Sequence, residues 1–166
     1  MGPLHWRCRR RDPGTDGDGP AGRPEGRSVA EPVSSTEQQV RAWLLALQEC
    51  VRRQDYVAAR PLFAPTVVAF GTAAALVAGL AALEEAQWRQ VWPTITDFTF
   101  DLARLRWGES GDLVWAAVPW TSRGRRPDGT LFLRPGRATL IFQRSGQRLQ
   151  AIHSHFSLAP ALSPPP

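Results

Sequence analysis

The sequence predicts an α+β fold in which about three N-terminal helices pack on one curved antiparallel sheet. Apolar residues recur at helical spacing in separate segments between Val40 and Trp92, and after Pro93 the pattern changes to the alternation of long strands. The chain has 166 residues, 43% of them hydrophobic, with seven Trp and seven Phe, which is enough to fill one core. Helices on one face of a curved sheet leave a conical space, so we expect a pocket there.

The first two helices have clear starting signals. Ser35 or Thr36 can cap a helix over 37–54, whose apolar residues recur at helical spacing. Asp55 can cap a second, shorter helix over 56–63. We expect both helices to bury one face against the sheet.

A short strand and a third helix follow. Residues 67–72 have the composition of a buried strand. From Gly79 onward, helical spacing predicts a helix to Trp92, where Pro93 stops it. Trp88 and Trp92 are one turn apart in this helix and therefore lie on one face.

The second half of the chain alternates and predicts a meander of long antiparallel strands. Trp115 and Trp120 differ by an odd number of positions, so they point to opposite faces of their strand. The predicted strands cover 96–107, 113–121, 132–144 and 149–158, with turns over 108–112 and 123–129 and around 145–146.

The last two strands carry polar side chains at matching positions. His153 and His155 share one face of their strand, and Arg137 and Thr139 share one face of the strand before it. We expect a three-residue loop over 145–147, which places 139 opposite 153 and 137 opposite 155. A two-residue loop would instead send Arg137 to the other side. The three-residue loop leaves an apolar set on the opposite face, formed by Ala138, Leu140, Phe142, Ile152 and Phe156.

The two ends of the chain differ in composition from the body at 35–160. Residues 1–34 are rich in Gly and Pro and show no apolar period, so we expect them to be disordered, as we do the Pro-rich end at 161–166. The arginines near the N-terminus are followed by no apolar segment. We therefore predict a cytoplasmic protein that makes no contact with a membrane.

Charge and cysteine usage exclude two further classes of function. All 20 basic side chains are arginines, scattered along a chain of net charge +5 without the stripe typical of nucleic-acid binding. Cys8 and Cys50 have no partner at the spacing of a disulfide framework or a zinc site. We predict no nucleic-acid partner, no metal and no cofactor.

Three segments carry a resemblance to a known family. Gln87–Pro93, Gly136–Thr139 and His153–Ser157, in this order of elements, resemble SnoaL-like members of the nuclear transport factor 2-like superfamily over about 36–160. The closing strands also look like those of ketosteroid-isomerase-like proteins and of the association domain of calcium/calmodulin-dependent kinases. The resemblance implies a cone-shaped, cystatin-like fold and a homodimer formed through the outer face of the sheet.

The polar pairs on the closing strands suggest acid/base chemistry. A histidine titrates near neutral pH and an arginine can hold a carboxylate or enolate oxygen, so His153 and Arg137 are the candidate catalytic residues, with Asp97 or Asp101 on a neighbouring strand. The alternative is a structural pair, in which His153 and His155 bond the sheet edge or lie in a dimer interface. The two histidines lack a third ligand at the spacing of a metal site.

Steroid isomerases of this superfamily place an aspartate near the end of the first strand and use a tyrosine as a donor. Here that strand ends at Ala69–Gly71 without an acid, and Tyr56 is the single tyrosine. The usual isomerase arrangement is therefore incomplete.

The sequence favours a domain that binds a small, mostly apolar ligand, with a polar or anionic group near Arg137 and His153. The alternatives are a non-catalytic dimerisation or adaptor domain, and an isomerase or dehydratase-like lyase with a His–Arg acid/base site. The predicted ligand-binding residues are Tyr56, Trp88, Trp92, Trp120, Arg137, Thr139, His153 and His155.

Overall fold

The first helix begins at a serine cap, as its sequence predicts. The structure is a computed structural model that describes residues 35–160, and its helix α1 covers Thr36–Arg53. The Ser35 hydroxyl accepts a hydrogen bond from the Gln38 N–H, and the Gln38 side chain accepts one from the Ser35 N–H at 2.8 Å. This reciprocal cap satisfies two backbone donors that the helix itself leaves open.

Several predictions concern residues outside this range. The tail at 1–34 and the Pro-rich end at 161–166 lie outside the described residues, and their disorder stays a prediction. Within 35–160, none of the helices is long and apolar enough to cross a membrane.

The second helix is shorter than predicted. Helix α2 covers Tyr56–Ala59, and the Asp55 carboxylate caps it by accepting a backbone hydrogen bond at 2.9 Å. One 3₁₀ turn, Arg60–Leu62, continues it. The helix ends there because Phe63 already pairs with Ala151 of the last strand.

The third helix, α3, covers residues 80–91 and changes type in its middle. An α-turn at Leu80–Leu83 is followed by a π-helical segment, Glu84–Trp88, and a last α-turn at Arg89–Val91. A 3₁₀ turn that contains the predicted stop at Pro93 follows, over Trp92–Thr94.

One seven-stranded sheet forms the other layer. Its order is β2-β1-β7-β6-β5-β3, and β4 also pairs with β5. The strands are β1 Phe63–Phe70, β2 Val77–Ala78, β3 Ile95–Phe100, β4 Arg106–Ser110, β5 Leu113–Arg125, β6 Leu131–Ser145 and β7 Arg148–Leu158.

The sheet is mixed, which corrects the prediction of a purely antiparallel one. Strand β1 runs parallel to β7, with Val68 opposite His153, whereas the other pairs are antiparallel. Parallel neighbours need a long connection, and here the third helix and the whole meander lie between the two strands.

The strand predicted over 96–107 is two strands. Both β3 and β4 pair with β5, and a 3₁₀ turn at Leu102–Arg104 separates them. Strand β5 continues to Arg125, so the turn predicted over 123–129 begins later than expected.

The turn between β6 and β7 has two residues, and the predicted three-residue loop is wrong. Ser145 pairs with Arg148, and Gly146 takes a φ of +59° at the first turn position. Two-residue hairpin turns need a positive φ, which glycine adopts without steric cost.

A β-bulge in β7 nevertheless keeps the predicted face. Ile152 is the extra residue, because Ile141 and Phe142 are adjacent in β6 but pair with His153 and Ala151. One extra residue reverses the alternation, which offsets the shorter turn. The observed pairs are Arg137 with Ser157, Thr139 with His155 and Ile141 with His153; the first two are shifted two residues along β7 from the prediction. Ile152, predicted in the apolar set, is only half-buried.

The core lies between the helices and the inner face of the sheet. Strand β6 contributes Ala138, Leu140 and Phe142 to it, as the alternation predicts. The intervening residues of β6 lie on the outer face, where Arg137 and Thr139 are exposed and Ile141 is half-buried.

Candidate functional site: an aromatic cavity

A cavity of about 50 Å³ lies between α3 and the inner face of the sheet. Most of its wall is aromatic or aliphatic, and Arg134 is the one charged residue among the described residues that line it. The lining consists of Leu47, Val51, Phe63, Phe70, Thr72, Leu83, Gln87, Trp88, Val91, Trp92, Ile95, Phe98, Trp120, Arg134, Ser154 and Phe156.

A stack of rings forms the helical wall. Trp88 and Trp92 stack with centroids 5.0 Å apart, and Phe63 packs on Trp88 at 5.1 Å. Tyr56 stacks on Trp92 at 5.2 Å, and the Arg89 guanidinium lies over the Tyr56 ring at 4.6 Å. These contacts fix the rings against one another, so the wall is pre-formed.

Trp120 forms the opposite wall, on the sheet. Its ring packs 5.5 Å from Phe98 and lies across Gly136 of β6. A Cβ at position 136 would stand 2.1 Å from Trp120 Cζ2, so only glycine leaves room for the indole there. Trp120 Nε1 is buried and has no hydrogen-bond partner.

Arg134 stands beside Trp120 with its charge unpaired. It lies directly opposite Ser122 on β5, and the Trp120–Gly136 pair is the next one on the same face. Arg134 Nη1 is buried without a hydrogen-bond partner, and no described carboxylate forms an ion pair with it. Burial lowers the pKa of the Arg134 guanidinium below its ordinary value.

Ser122 adds a third unsatisfied polar group. Its side chain is 1% exposed and its Oγ has no hydrogen-bond partner. Buried polar atoms are nearly always bonded in folded proteins, because desolvation without a partner costs about 1–3 kcal/mol. Three such atoms on adjacent positions of one sheet face therefore mark a site that a polar group can complete.

Gln87 closes another side of the cavity. Its Oε1 accepts hydrogen bonds from the N–H groups of Ala73 and Ala74 at 2.9 and 3.0 Å, and its Nε2 donates to Thr72 Oγ1 at 3.2 Å. The side chain holds the loop after β1 against α3. Both polar atoms of the side chain thus have partners within the protein.

Glu84 anchors α3 on the other side. The carboxylate is 6% exposed and accepts two hydrogen bonds from Arg60, at 2.8 and 3.0 Å, and one from Arg89 at 2.5 Å. The hydrogen bond from Arg60 is the main cause that lowers the pKa of Glu84, although burial opposes it.

The structure places the eight predicted ligand-binding residues on two surfaces. Trp88, Trp92 and Trp120 line the cavity, and Tyr56 packs behind Trp92. The remaining four lie on the outer face of the sheet, outside the cavity lining: Arg137, Thr139, His153 and His155.

The four outer residues do not converge on one point. Arg137 pairs with Ser157, to whose Oγ it donates a hydrogen bond at 3.2 Å, and His153 lies four residues back along β7. That is roughly 13 Å along the strand. Arg137, Thr139 and His155 share an open outer groove, whose lining does not include His153.

The carboxylates considered with them are already paired. Asp97 lies 3.4 Å from Arg123, and Asp101 lies 2.6 Å from Arg104, whose hydrogen bond lowers the pKa of Asp101. No Asp, Glu, His, Cys or Tyr of the described residues lines the cavity. Within 35–160, there is no group of three or more His, Cys, Asp or Glu side chains that could hold a metal ion.

Arg134 was not predicted as a site residue, although the sequence contains a signal for it. It precedes Ala138, Leu140 and Phe142 by even numbers of positions, so strand alternation puts it on their face. A charged residue in register with a buried apolar set is the kind of exception that marks a site.

Comparison with known families gives one match in sequence. A family model described as SnoaL-like domain matches residues 40–161. No curated protein matches the chain. The matched segment includes α2, α3 and all seven strands.

Solved structures similar to this one share its fold. An NTF2-like protein of unknown function from Pseudomonas putida KT2440 is 27% identical, with a TM-score of 0.60 over 76% of this chain and 88% of that one. A ketosteroid isomerase-like protein from Erwinia carotovora atroseptica SCRI1043 is 16% identical, with a TM-score of 0.60 over 76% and 96%. The association domain of C. elegans CaMKII is 13% identical, with a TM-score of 0.58 over 73% and 94%.

Proposed function

We propose, because this chain belongs to the SnoaL-like domain family, that its cavity binds a small, mostly apolar organic ligand. The observation that carries the proposal is an aromatic cavity bordered by buried, unpartnered polar atoms of Trp120 and Arg134. Ligand sites in proteins have this composition, with mostly apolar walls and a few polar groups that fix orientation.

The volume of the cavity limits the ligand. About 50 Å³ exceeds the space that one water needs but is well below the roughly 150 Å³ of an apolar cavity that holds benzene. A short-chain ligand with as many heavy atoms as benzene requires the aromatic walls to move apart slightly, whereas a steroid requires a much larger separation.

The test is mass spectrometry of small molecules released from the natively purified protein. Val91 lines the cavity, so Val91→Trp fills it. Val57→Trp is the matched control, because Val57 is 71% exposed and lies outside the lining. We expect a molecule that co-purifies with the wild type and Val57→Trp but not with Val91→Trp; identical extracts from all three proteins would refute the proposal.

We further propose that the outer face of the sheet forms a homodimer. Trp115 is 46% and Phe70 40% exposed on this face, and the Phe70 ring packs against the rings of His153 and His155 at 6.0 and 5.3 Å. Half-exposed large apolar side chains on one face of a sheet are typical of an interface. The likeness to an association domain supports self-association of this chain.

Sedimentation velocity tests the dimer. Trp115→Glu places a charge on the outer face and outside the cavity lining, and Val57→Glu places the same charge on an exposed apolar position of α2. We expect a dimer for the wild type and Val57→Glu and a monomer for Trp115→Glu. A wild type that is monomeric at all concentrations would overturn this proposal and leave the ligand proposal standing.

The alternative of an isomerase or dehydratase-like lyase depends on His153 and Arg137. Both lie on the outer face, so such a reaction would take place outside the aromatic cavity, in or next to the groove that Arg137 shares with His155. Turnover that is lost in Arg137→Ala but kept in Val91→Trp would favour it.

A further inference from the structure

We propose that Arg134 and Trp120, flanked by Ser122, form a carboxylate-binding site, so that the ligand is a short-chain apolar monocarboxylate. This inference rests on the ligand-binding function proposed above and adds the chemical class of the ligand. It names residues that lie on the opposite face of the sheet from Arg137 and His153.

The register of β5 and β6 brings the three polar groups together. Ser122 and Arg134 are direct cross-strand partners, and Trp120 with Gly136 is the neighbouring pair on the same face. Cross-strand partners have Cβ atoms about 5 Å apart, and successive pairs on one face are about 7 Å apart along the strand. Both Arg134 and Trp120 also line the cavity, so the site for the anion is the cavity space that the two side chains share.

The aliphatic part of the Arg134 side chain crosses the neighbouring strand at a glycine. A Cβ at Gly124 would stand 2.8 Å from Arg134 Cδ and 2.6 Å from Phe132 Cζ, so the aliphatic stem of the arginine crosses the strand where a glycine leaves space. The stem is held between backbone and ring, which limits the entropy that the guanidinium loses when it binds.

The chemistry of the donors selects an anion. Indole N–H and guanidinium groups only donate hydrogen bonds, and the Ser122 hydroxyl can also donate. The groups that need partners are Trp120 Nε1, Arg134 Nη1 and Ser122 Oγ. A neutral ligand would leave the partly buried charge of Arg134 without compensation, whereas an anion satisfies both the charge and the donors.

The surroundings favour a monocarboxylate over a phosphate. Arg134 is the one charged residue among the described residues of the lining, which matches a single negative charge. A planar carboxylate takes two parallel hydrogen bonds from a guanidinium. Most of the rest of the wall, including Phe98, Trp92 and Ile95, offers apolar contact for the remainder of the ligand.

The experiment is calorimetric titration of the full chain with butyrate, hexanoate, inorganic phosphate and the neutral isosteres butyramide and hexanamide. We expect wild type to bind the carboxylates roughly tenfold or more tightly than the matching amides and than phosphate. Arg134→Gln should abolish this preference, and Arg137→Gln, on the outer face, should retain it. Trp120→Phe keeps a ring but removes the N–H and should weaken carboxylate binding severalfold.

The outcomes separate this inference from the proposed function. Equal affinity for acid and amide, or an undiminished preference in Arg134→Gln, overturns the carboxylate site while ligand binding stands. If the molecule that co-purifies with the protein is neutral, the carboxylate site is likewise overturned and ligand binding stands. If neither the acids nor the amides bind and extracts of the wild type and Val91→Trp are identical, both proposals fail. Should Arg134→Gln not fold, an undiminished acid preference in Trp120→Phe overturns the site by itself.

Discussion

Trp120 lies flat across Gly136, its direct partner on the neighbouring strand, so that a methyl group at position 136 would occupy the place of the indole. Gly136→Ala should therefore displace the indole and lower the free energy of unfolding by about 1–3 kcal/mol, as overpacking of a core does. Urea denaturation, monitored by tryptophan fluorescence, measures this change in the free energy of unfolding.

The double variant Trp120→Phe with Gly136→Ala is the control for that prediction. Phenylalanine lacks the second ring, so the methyl group gains space and the two changes together should cost less than the sum of the single changes. Additive losses would mean that Gly136 acts through something other than its contact with Trp120.

Arg134→Leu is expected to fold and to be at least as stable as the wild type without ligand. The guanidinium is partly buried and has no described carboxylate partner, and an apolar side chain removes its desolvation cost. We expect the urea midpoint to rise or stay level, with a gain of up to about 1 kcal/mol. A loss in the free energy of unfolding greater than that caused by Arg137→Leu would show that Arg134 has a structural partner.

Glu84 should make the stability of the domain depend on acid pH. Its folded-state pKa lies below the ordinary 4.5, so its contribution is complete above about pH 5 and is lost as pH falls through the lowered pKa. The free energy of unfolding of Glu84→Gln should consequently change less between pH 6 and pH 3 than that of the wild type. Glu85→Gln, at an exposed neighbouring position, should follow the wild-type curve.

His153→Ala distinguishes the two faces of the sheet. His153 contacts the Phe70 ring on the outer face and does not line the cavity. We expect sedimentation to show a weaker dimer, while the molecule that co-purifies with the protein is retained in the same amount. Loss of that molecule with an intact dimer would place the ligand at the outer face.

Local patterns in the sequence predict the elements well but not the contacts that join them. The cap at Ser35 and the stop at Pro93 depend on neighbouring residues: one helix begins directly after Ser35, and the other ends at Val91, just before the 3₁₀ turn that contains Pro93. The bulge at Ile152 is different, because it depends on how β7 pairs with β6. Alternation identified a shared face for Arg137 and the histidines, but not that it was the outer one.

The same limit applies to the cavity. Ring stacking between Trp88 and Trp92 follows from their helical spacing and was accessible from the sequence. The lack of a partner for Arg134 could not be predicted from the sequence. It depends on whether any element packed nearby within residues 35–160 brings a carboxylate to the guanidinium. Satisfaction of a buried charge is a property of the tertiary structure.

The parallel pairing of β1 with β7 also has a consequence while the chain is being translated. Strand β1 is translated long before its neighbour, and Phe63 finds Ala151 only after almost ninety further residues have left the ribosome. Until then the nascent chain exposes the edges of β1 and β6 that β7 will occupy, and such edges are prone to pair with other chains. The interval before β7 emerges is thus when this protein is most exposed to misassembly, and chaperone dependence should be greatest for chains that stall before residue 148.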